Sequence, residues 1–303
     1  LPPSSPPSVP PSSPPSSTGA SASGDVHVTN LRNGKFDIRG KGHGKVYALL
    51  SAPGLAVNAK IEFATFRLPP SDPRSVALKK IHGSVMSEAY VTVRTSNGNL
   101  FFVEYNPCTP TSAHLMVTLK GDGPSKEVWL DTSLAASFDM ENVHVVLKST
   151  AGKALALSMT DAAWNITIIP GSYRLVTGIL KRRVDVAISP LPAAATNPIA
   201  PHGIIGQSLH DKSAVHGKVD DYIPNTLGEF TTSAQGEGAI EGEIDNYEIV
   251  GDPFSTSFKF SRFDSASRAS YKAASLSKTY SGKPLSAGTR FVSGAISDNP
   301  LDA

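Results

Sequence analysis

The amino-acid sequence predicts an all-β fold, built as a sandwich or as stacked antiparallel sheets. Over residues 55–63, apolar side chains alternate with polar or small ones, which is typical of a strand that buries one face. Similar short runs recur along the chain, and Gly, Pro, Asn and Asp cluster between them as turn residues do. We find no window with a helical periodicity longer than about two turns, so strands should account for the regular structure.

The alternation predicts a series of strands that begins soon after the N-terminal segment. In chain order they are 35–39, 46–51, 55–63, 88–95, 100–105, 114–119, 143–148, 164–169 and 183–188. A low-complexity connector rich in Pro and Ala follows at 189–198. The C-terminal region is rich in Ser, Gly, Ala and Thr, and its best strand signals are 257–260 and 289–296. We expect so polar a region to need the preceding domain, or a partner, to order it.

The chain begins with a segment of paired prolines separated by Ser. The pairs recur every four residues, at Pro2, Pro3, Pro6, Pro7, Pro10, Pro11, Pro14 and Pro15. Each Pro fixes φ at about −65° and removes a backbone donor, so a polyproline II helix is expected. At about 3.1 Å per residue this is a semi-rigid spacer of roughly 50 Å, and a flexible disordered tail is the alternative. The sequence thus divides into an arm (1–24), a β domain (25–225) and a C-terminal β extension (226–303).

Charge and hydropathy exclude two classes of partner. The chain has 303 residues and a formal net charge of +2, from 28 basic and 26 acidic residues. Because charges of one sign form no blocks, we expect no nucleic-acid partner. No apolar stretch approaches the ~20 residues that a membrane helix needs, so we expect no membrane span. The first residue is Leu rather than Met, which favours a secreted chain whose signal peptide has been removed.

Cysteine usage gives mixed evidence on the compartment. Cys108 is the only cysteine, within the turn sequence Asn-Pro-Cys-Thr-Pro. The lack of a disulfide framework counts against secretion, whereas Ser-Pro-Pro tracts are typical of glycosylated stalks in the extracellular matrix. We interpret Cys108 as an unpaired structural thiol, with an intermolecular disulfide as the alternative.

A search for catalytic motifs gives no candidate enzyme class. The sequence has no Gly-x-Ser-x-Gly elbow, no His-Glu-x-x-His and no phosphate-binding loop. Ser208 and His210 lie two positions apart, but a triad needs a third group that the sequence does not identify. We therefore expect no enzymatic activity and no required cofactor.

Two separated stretches resemble the von Willebrand factor type D domain. The opening of that domain is similar to two stretches of this chain, Gly-Asp-Val-His-Val at 24–28 and Asn-Gly-Lys-Phe-Asp-Ile-Arg-Gly at 33–40. Its closing segment is similar to Pro-His-Gly-Ile-Ile-Gly-Gln at 201–207 followed by Val-Asp-Asp-Tyr at 219–222. The stretch at 201–207 is also similar to a segment of inter-alpha-trypsin inhibitor heavy chains. The resemblance covers roughly residues 24–225 and implies an extracellular β-sheet module built for assembly.

The departures from the family limit what the resemblance implies. Ile205 stands where the family has a closing cysteine, and the rest of the disulfide network is missing, so disulfide-linked multimers are not implied. With its Pro-rich leader, the chain resembles subunits of the glycan-coated extracellular fibrils of algae and other protists. The family binds calcium after its closing motif, which implies a structural calcium site at Gln207, Asp211, Asp220 and Asp221. The alternative is that these Asp residues cap turns.

Covalent glycans are expected at two places. Asn165-Ile166-Thr167 is the only N-glycosylation sequon, and a strand at 164–169 would place Asn165 opposite the face of Trp164 and Ile168. The resemblance to algal and plant wall proteins implies hydroxylation and O-glycosylation of the leader prolines.

The leading functional hypothesis is a secreted structural glycoprotein whose subunits join into extracellular filaments. A monomeric stalked adhesin or glycan-binding module is the alternative. Because no disulfides are available, we expect a strand or arm of one subunit to add to a sheet edge of the next. Residues 18–29 are the favoured donor, since 18–24 should be flexible and 25–29 can extend, and 289–296 is the competing one.

Overall fold

The computed structural model describes residues 19–95, 98–107, 114–120, 126–131, 136–140, 143–150, 154–160 and 163–265. Its strands are β1 (Ala20–Ser23), β2 (His27–Thr29), β3 (Lys35–Asp37), β4 (Lys45–Ala52), β5 (Leu55–Arg67), β6 (Lys80–Arg94), β7 (Leu100–Asn106), β8 (His114–Lys120), β9 (Lys126–Asp131), β10 (Ala136–Met140), β11 (Val143–Thr150), β12 (Ala154–Thr160), β13 (Trp164–Leu175), β14 (Leu180–Pro190), β15 (Glu229–Thr231) and β16 (Glu248–Ile249). Helix α1 (Pro192–Thr196) and 3-10 turns at Pro73–Val76, Gly206–His210 and Ile244–Tyr247 complete the regular structure of this part of the chain. The all-β prediction is confirmed.

The strands form one continuous, curled sheet. Its main path runs β3-β2-β1-β14-β13-β5-β6-β7-β8-β9, and a branch β10-β11-β12 joins it at β13. Neighbours are antiparallel except β15, which runs parallel to β6. Strand β13 pairs with β14 along one side, while its other side pairs first with β12 and then with the end of β5. The sheet forks at this point.

All the strands that the alternation predicts from 35 to 188 are present, and several extend further than predicted. β5 continues to Arg67 and β6 begins at Lys80. The register between them shifts after Lys60, because Glu88 pairs with Lys60 but Met86 pairs with Ile61. This bulge changes which positions of β6 face the core, from Ala89 to Met86. β5 keeps its alternation through Ala59 and Ile61, so a strict two-residue pattern ends in β6 at this point.

The main core cluster lies on the inner side of the curled sheet and continues into the C-terminal segment. Ile244, Tyr247, Phe260 and Phe263 are buried there, and three of them belong to the main core cluster. Residues 257–260 are not a strand as expected, but pack through irregular backbone.

The N-terminal segment is more ordered than the sequence suggested. Instead of a flexible linker, Ala20–Ser23 forms β1, which lies between β14 and β2 of the same chain. Ala20 and Ala22 are buried, which explains why small residues occur here. The proline arm, Cys108 and residues 289–296 lie outside the described residues. No helix in the described part of the chain is long and apolar enough to cross a membrane.

Candidate functional site

A buried polar network joins the two segments on which the family resemblance depends. The Tyr222 hydroxyl donates a hydrogen bond to Asp25 Oδ2 at 2.9 Å. The Tyr222 hydroxyl oxygen also lies 3.2 Å from His27 Nε2. The other ring nitrogen, His27 Nδ1, is 2.7 Å from Asp37 Oδ1. A continuous chain of hydrogen bonds therefore runs Asp25–Tyr222–His27–Asp37, between residues almost 200 positions apart.

The backbone around this network is held in unusual conformations. Asp25 lies in the turn between β1 and β2, which Gly24 enters at a φ of 66°. The next residue, Val26, has a φ of 25°, and Tyr222 has a φ of 56°. Positive φ is costly for β-branched and bulky side chains, so surrounding contacts must hold these two residues in place.

Asp25 is held by β6 as well as by Tyr222. Its Oδ1 accepts a hydrogen bond from the Ser84 backbone N–H at 2.7 Å. Gly83 leaves space for the carboxylate, because a Cβ at that position would lie 2.3 Å from Asp25 Oδ1. The network therefore depends on a glycine in the middle of a long strand, where glycine is otherwise unfavourable.

Asp37 and Asp220 extend the network to two further segments. The Asp220 backbone N–H donates to Asp37 Oδ2 at 2.8 Å. The Asp220 side chain in turn accepts from the backbone N–H of Ser233 at 2.9 Å and of Ala234 at 3.3 Å. Two buried carboxylates thus join the β2–β3 hairpin to residues 220–234.

Burial controls the electrostatics of the site. Desolvation raises the pKa of Asp25 to about 6, against the lowering effect of the hydrogen bonds from Ser84 and Tyr222. The hydrogen bond to Asp37 raises the pKa of His27, and burial opposes it. Burial and the neighbouring Asp25 raise the pKa of Tyr222 above its ordinary value, so its hydroxyl stays protonated.

The hydrogen-bond chain allows two protonation arrangements of equal net charge. In one, His27 is a cation that donates to Asp37 and to the Tyr222 oxygen, while Tyr222 donates to an ionised Asp25. In the other, a protonated Asp25 donates to the Tyr222 oxygen, and Tyr222 donates to a neutral His27. To pass from the first protonation arrangement to the second, His27 gives a proton to the Tyr222 hydroxyl, and Tyr222 gives its own proton to Asp25. The site is therefore suited to holding and sharing one proton near neutral pH.

The closing motif at 201–207 packs against β4. His202 exchanges backbone hydrogen bonds with Ser51, each at 2.7 Å. Gly203 has a φ of 99°, and a Cβ there would meet Leu49 O at 2.7 Å. The His202 ring stacks on Phe260 with centroids 4.4 Å apart, and burial lowers its pKa. These contacts make the motif an anchor for the C-terminal segment.

The residues proposed for calcium have other contacts in the structure. Gln207 Oε1 accepts from the Glu241 N–H at 2.9 Å, and Asp221 Oδ1 accepts from the Ile223 N–H at 3.3 Å. Asp220 is bound to backbone amides as described above, and Asp211 follows the Gly206–His210 turn. Within the described residues, no group of three or more His, Cys, Asp or Glu side chains could hold a metal ion. The Asp220 and Asp221 carboxylates accept backbone hydrogen bonds, as the alternative of loop capping expects.

The other residues considered from the sequence are placed as follows. Ser208 Oγ accepts from the Leu31 N–H at 3.0 Å and donates to Ile205 O at 2.8 Å, while His210 is exposed. Trp164, Ile166 and Ile168 are buried, whereas Asn165 lies on the opposite face of β13 and is half-buried. The sequon therefore has the strand orientation that was predicted.

The sequence alone indicated Asp25, His27, Asp37 and Tyr222 only as parts of motifs, and Asp25 and His27 also as part of the donor segment 18–29, with no role for any of them in a polar network. For Asp25, His27 and Asp37, the one signal was a polar, ionisable residue in or beside a short strand that otherwise alternates. No protein-family model matches the chain, and no curated protein matches it.

Proposed function

We propose that this protein is a secreted structural glycoprotein whose subunits assemble into extracellular filaments through their sheet edges. The observation that carries the proposal is the contrast between edges of the same sheet. β9 pairs only with β8, and β10 pairs only with β11, among the described residues. An edge strand without a partner presents a row of N–H and C=O groups that a second chain can pair with.

Two other sheet edges are covered within the chain. Along β3, the Gly217 N–H donates to Lys35 O at 3.0 Å, and the Asp37 N–H donates to Lys218 O at 2.9 Å. The short strand β16 covers β4 on the side away from β5. Coverage of this kind protects a monomer against edge-to-edge association, so we take its absence at β9 and β10, within the part of the chain that the structure describes, to favour assembly there.

The other parts of the chain support the same proposal. The Pro-Ser arm suits a glycan-bearing spacer, and the sequon lies on a strand face away from the core. We also propose descent from a von Willebrand type D-like module without disulfides, because the opening and closing segments meet in the Asp25–Tyr222 network.

The test compares proline variants at two consecutive positions of β9, Glu127→Pro and Val128→Pro. Successive N–H groups along a strand point to opposite sides, so one substitution removes a donor to β8 and the other removes a donor at the open edge. The variant that loses the donor to β8 should have the lower thermal stability of the two. The variant that loses the donor at the open edge should keep its fold and shorten or abolish filaments, as seen by negative-stain microscopy and sedimentation velocity.

Three outcomes would contradict the proposal. Discrete particles of the glycosylated full-length protein at all concentrations would favour the monomeric stalked adhesin. Filaments of normal length from both proline variants would exclude β9 as the joining edge. Filament loss that follows stability in both variants would show that the edge has no specific role.

A further inference from the structure

An unusual pair of like charges lies where β13 pairs with β5. Arg174 of β13 lies directly opposite Arg67 of β5. Directly opposed charged residues elsewhere in the sheet have opposite signs. These pairs are Lys60 with Glu88, Lys80 with Glu229, His27 with Asp37, Asp139 with His144 and Asp131 with His114, where His counts as the basic member. Like charges in direct opposition destabilise a sheet, so this exception has a cost to the fold.

Neither arginine is neutralised by a carboxylate within the described residues. The Arg174 side chain donates to the Gly178 backbone oxygen at 2.8 Å, and the Arg67 side chain makes no hydrogen bond or ion pair among the residues that the structure describes. The nearby Glu229 is bound to Lys80, whose Nζ lies 2.6 Å from its Oε1. The two guanidinium groups are thus available to an external anion.

The same sheet face adds a third arginine and an apolar contact. Arg182 lies opposite Ser172, and Leu180 lies opposite Arg174, so all four residues share a face with Arg67. All three arginines are exposed, and Leu180 is 61 % exposed. Since neighbouring strands are about 4.8 Å apart, the arginines form a compact cationic surface across three strands.

The other face of this region carries a small apolar cluster of its own. Phe66, Ile81, Tyr222 and Tyr173 pack together on that side. On the arginine face, the buried core residues Ile168 and Val184 lie further along β13 and β14, and Arg67 and Arg174 lie beyond them at the exposed end.

We propose that Arg67 and Arg174 form a binding surface for an acidic polysaccharide, with the exposed Arg182 as a further positive charge on the same face. The planar guanidinium fork binds sulfate and carboxylate groups through two parallel hydrogen bonds, and several arginines in a row suit a ligand with repeated anionic groups. Leu180 provides contact for the apolar C–H face of a sugar ring. The face has no aromatic residue at these positions on which bases would stack, which favours a polysaccharide over a single-stranded nucleic acid.

The experiment measures binding of the full-length protein to dextran sulfate, with neutral dextran and sodium sulfate as comparison ligands. The variant Arg67→Gln/Arg174→Gln should bind dextran sulfate roughly tenfold more weakly or worse. A matched control, Lys35→Gln/Lys212→Gln, removes the same charge from exposed positions elsewhere and should change affinity by less than about twofold. Neutral dextran should not bind, and sodium sulfate should compete only through ionic strength.

Thermal stability separates a binding role from a structural one. Because removing the opposed arginines relieves repulsion, the binding variant should melt at the same temperature as the wild type or higher. Equal loss of binding in the control variant would show that only net charge matters and would overturn the proposal. Unchanged binding in the arginine variant, or tight binding of neutral dextran, would overturn it as well. Filament formation is a separate property, so a monomeric protein that still binds dextran sulfate would support this surface.

Discussion

The carboxylate of Asp25 occupies the space that a side chain at position 83 would need. A Cβ on Gly83 would lie 2.3 Å from Asp25 Oδ1 and 2.5 Å from Oδ2. Atoms do not approach so closely, so the turn between β1 and β2 and the middle of β6 have to be compatible at these two positions. Since Asp25 also bonds to Ser84 N and to the Tyr222 hydroxyl, the carboxylate has no free direction in which to move.

We therefore expect Gly83→Ala to lower the free energy of unfolding by about 2–4 kcal/mol, through displacement of Asp25 and loss of its hydrogen bonds. Chemical denaturation measures this directly. Gly42→Ala is the matched control, because its Cβ would meet only the flexible end of Lys45 and should cost about 1 kcal/mol or less.

A double-mutant cycle distinguishes this contact from a general intolerance of alanine in β6. In an Asp25→Ala background the space is empty, so the additional cost of Gly83→Ala should fall below about 1 kcal/mol. Equal costs in both backgrounds would mean that Gly83 is needed for another reason.

The raised pKa of Asp25 predicts an unusual pH dependence of stability. Its folded-state pKa is about 6 against an ordinary value of 3.8, so the folded protein binds this proton more tightly than the unfolded chain. Stability from this group is therefore present at pH 4 and is lost as the pH rises to about 6, by roughly 2–3 kcal/mol. The raised pKa of His27 has the same sign, and its contribution is lost at higher pH.

The substitution Asp25→Asn should remove the loss of stability that Asp25 causes as the pH rises. The amide accepts from Ser84 N and donates to the Tyr222 oxygen, so the network remains satisfied without a buried charge. We expect the variant to match the wild type at pH 4 and to exceed its unfolding free energy at pH 7. Urea denaturation across this range tests both statements, and a wild-type curve parallel to that of the variant would refute the assignment to Asp25.

The strands were predictable from the sequence because the sheet buries one face. A strand with one buried face has an apolar side chain at every second position, and that alternation is visible in the sequence. Residues 226–265 gave only a weak signal at 257–260, which is not a strand, because this region is anchored by separate aromatic residues such as Tyr247 and Phe260 on irregular backbone. The Asp25–Tyr222 contact was equally hidden, since strand order in the sheet, rather than any local pattern, brings the two residues together. The bulge after Lys60 likewise depends on pairing with β6.

The position of β1 changes how the N-terminal arm has to be tested. Deleting residues 1–18 leaves β1 in place, so we expect unchanged stability in chemical denaturation. Deleting residues 1–24 also removes the pairing with β14 and β2 and the hydrogen bond from Gly24 N to Asp185 Oδ1 at 3.0 Å. It should cost about 3 kcal/mol or more, because a buried strand is lost and the edge of β14 is exposed. Equal stability of the two truncations would contradict the role of β1, and only the shorter deletion tests the arm in assembly.

The last prediction concerns the glycan at Asn165. The residue lies in β13 between Thr160 of β12 and Ser189 of β14, on the face opposite the buried Trp164 and Ile166. Because this face is directed away from the core, protein secreted from a eukaryotic host should carry an N-linked glycan there.

Intact-mass analysis before and after treatment with a peptide N-glycosidase tests this glycan. Thr167→Ala should remove the glycan, whereas Thr167→Ser keeps the sequon and should retain it, with the same strand and the same face in both variants. Any mass that remains after the enzyme, and that disappears on deletion of residues 1–18, belongs to sugars on the leader prolines. A secreted wild-type protein with the mass of the bare polypeptide would refute both glycan sites.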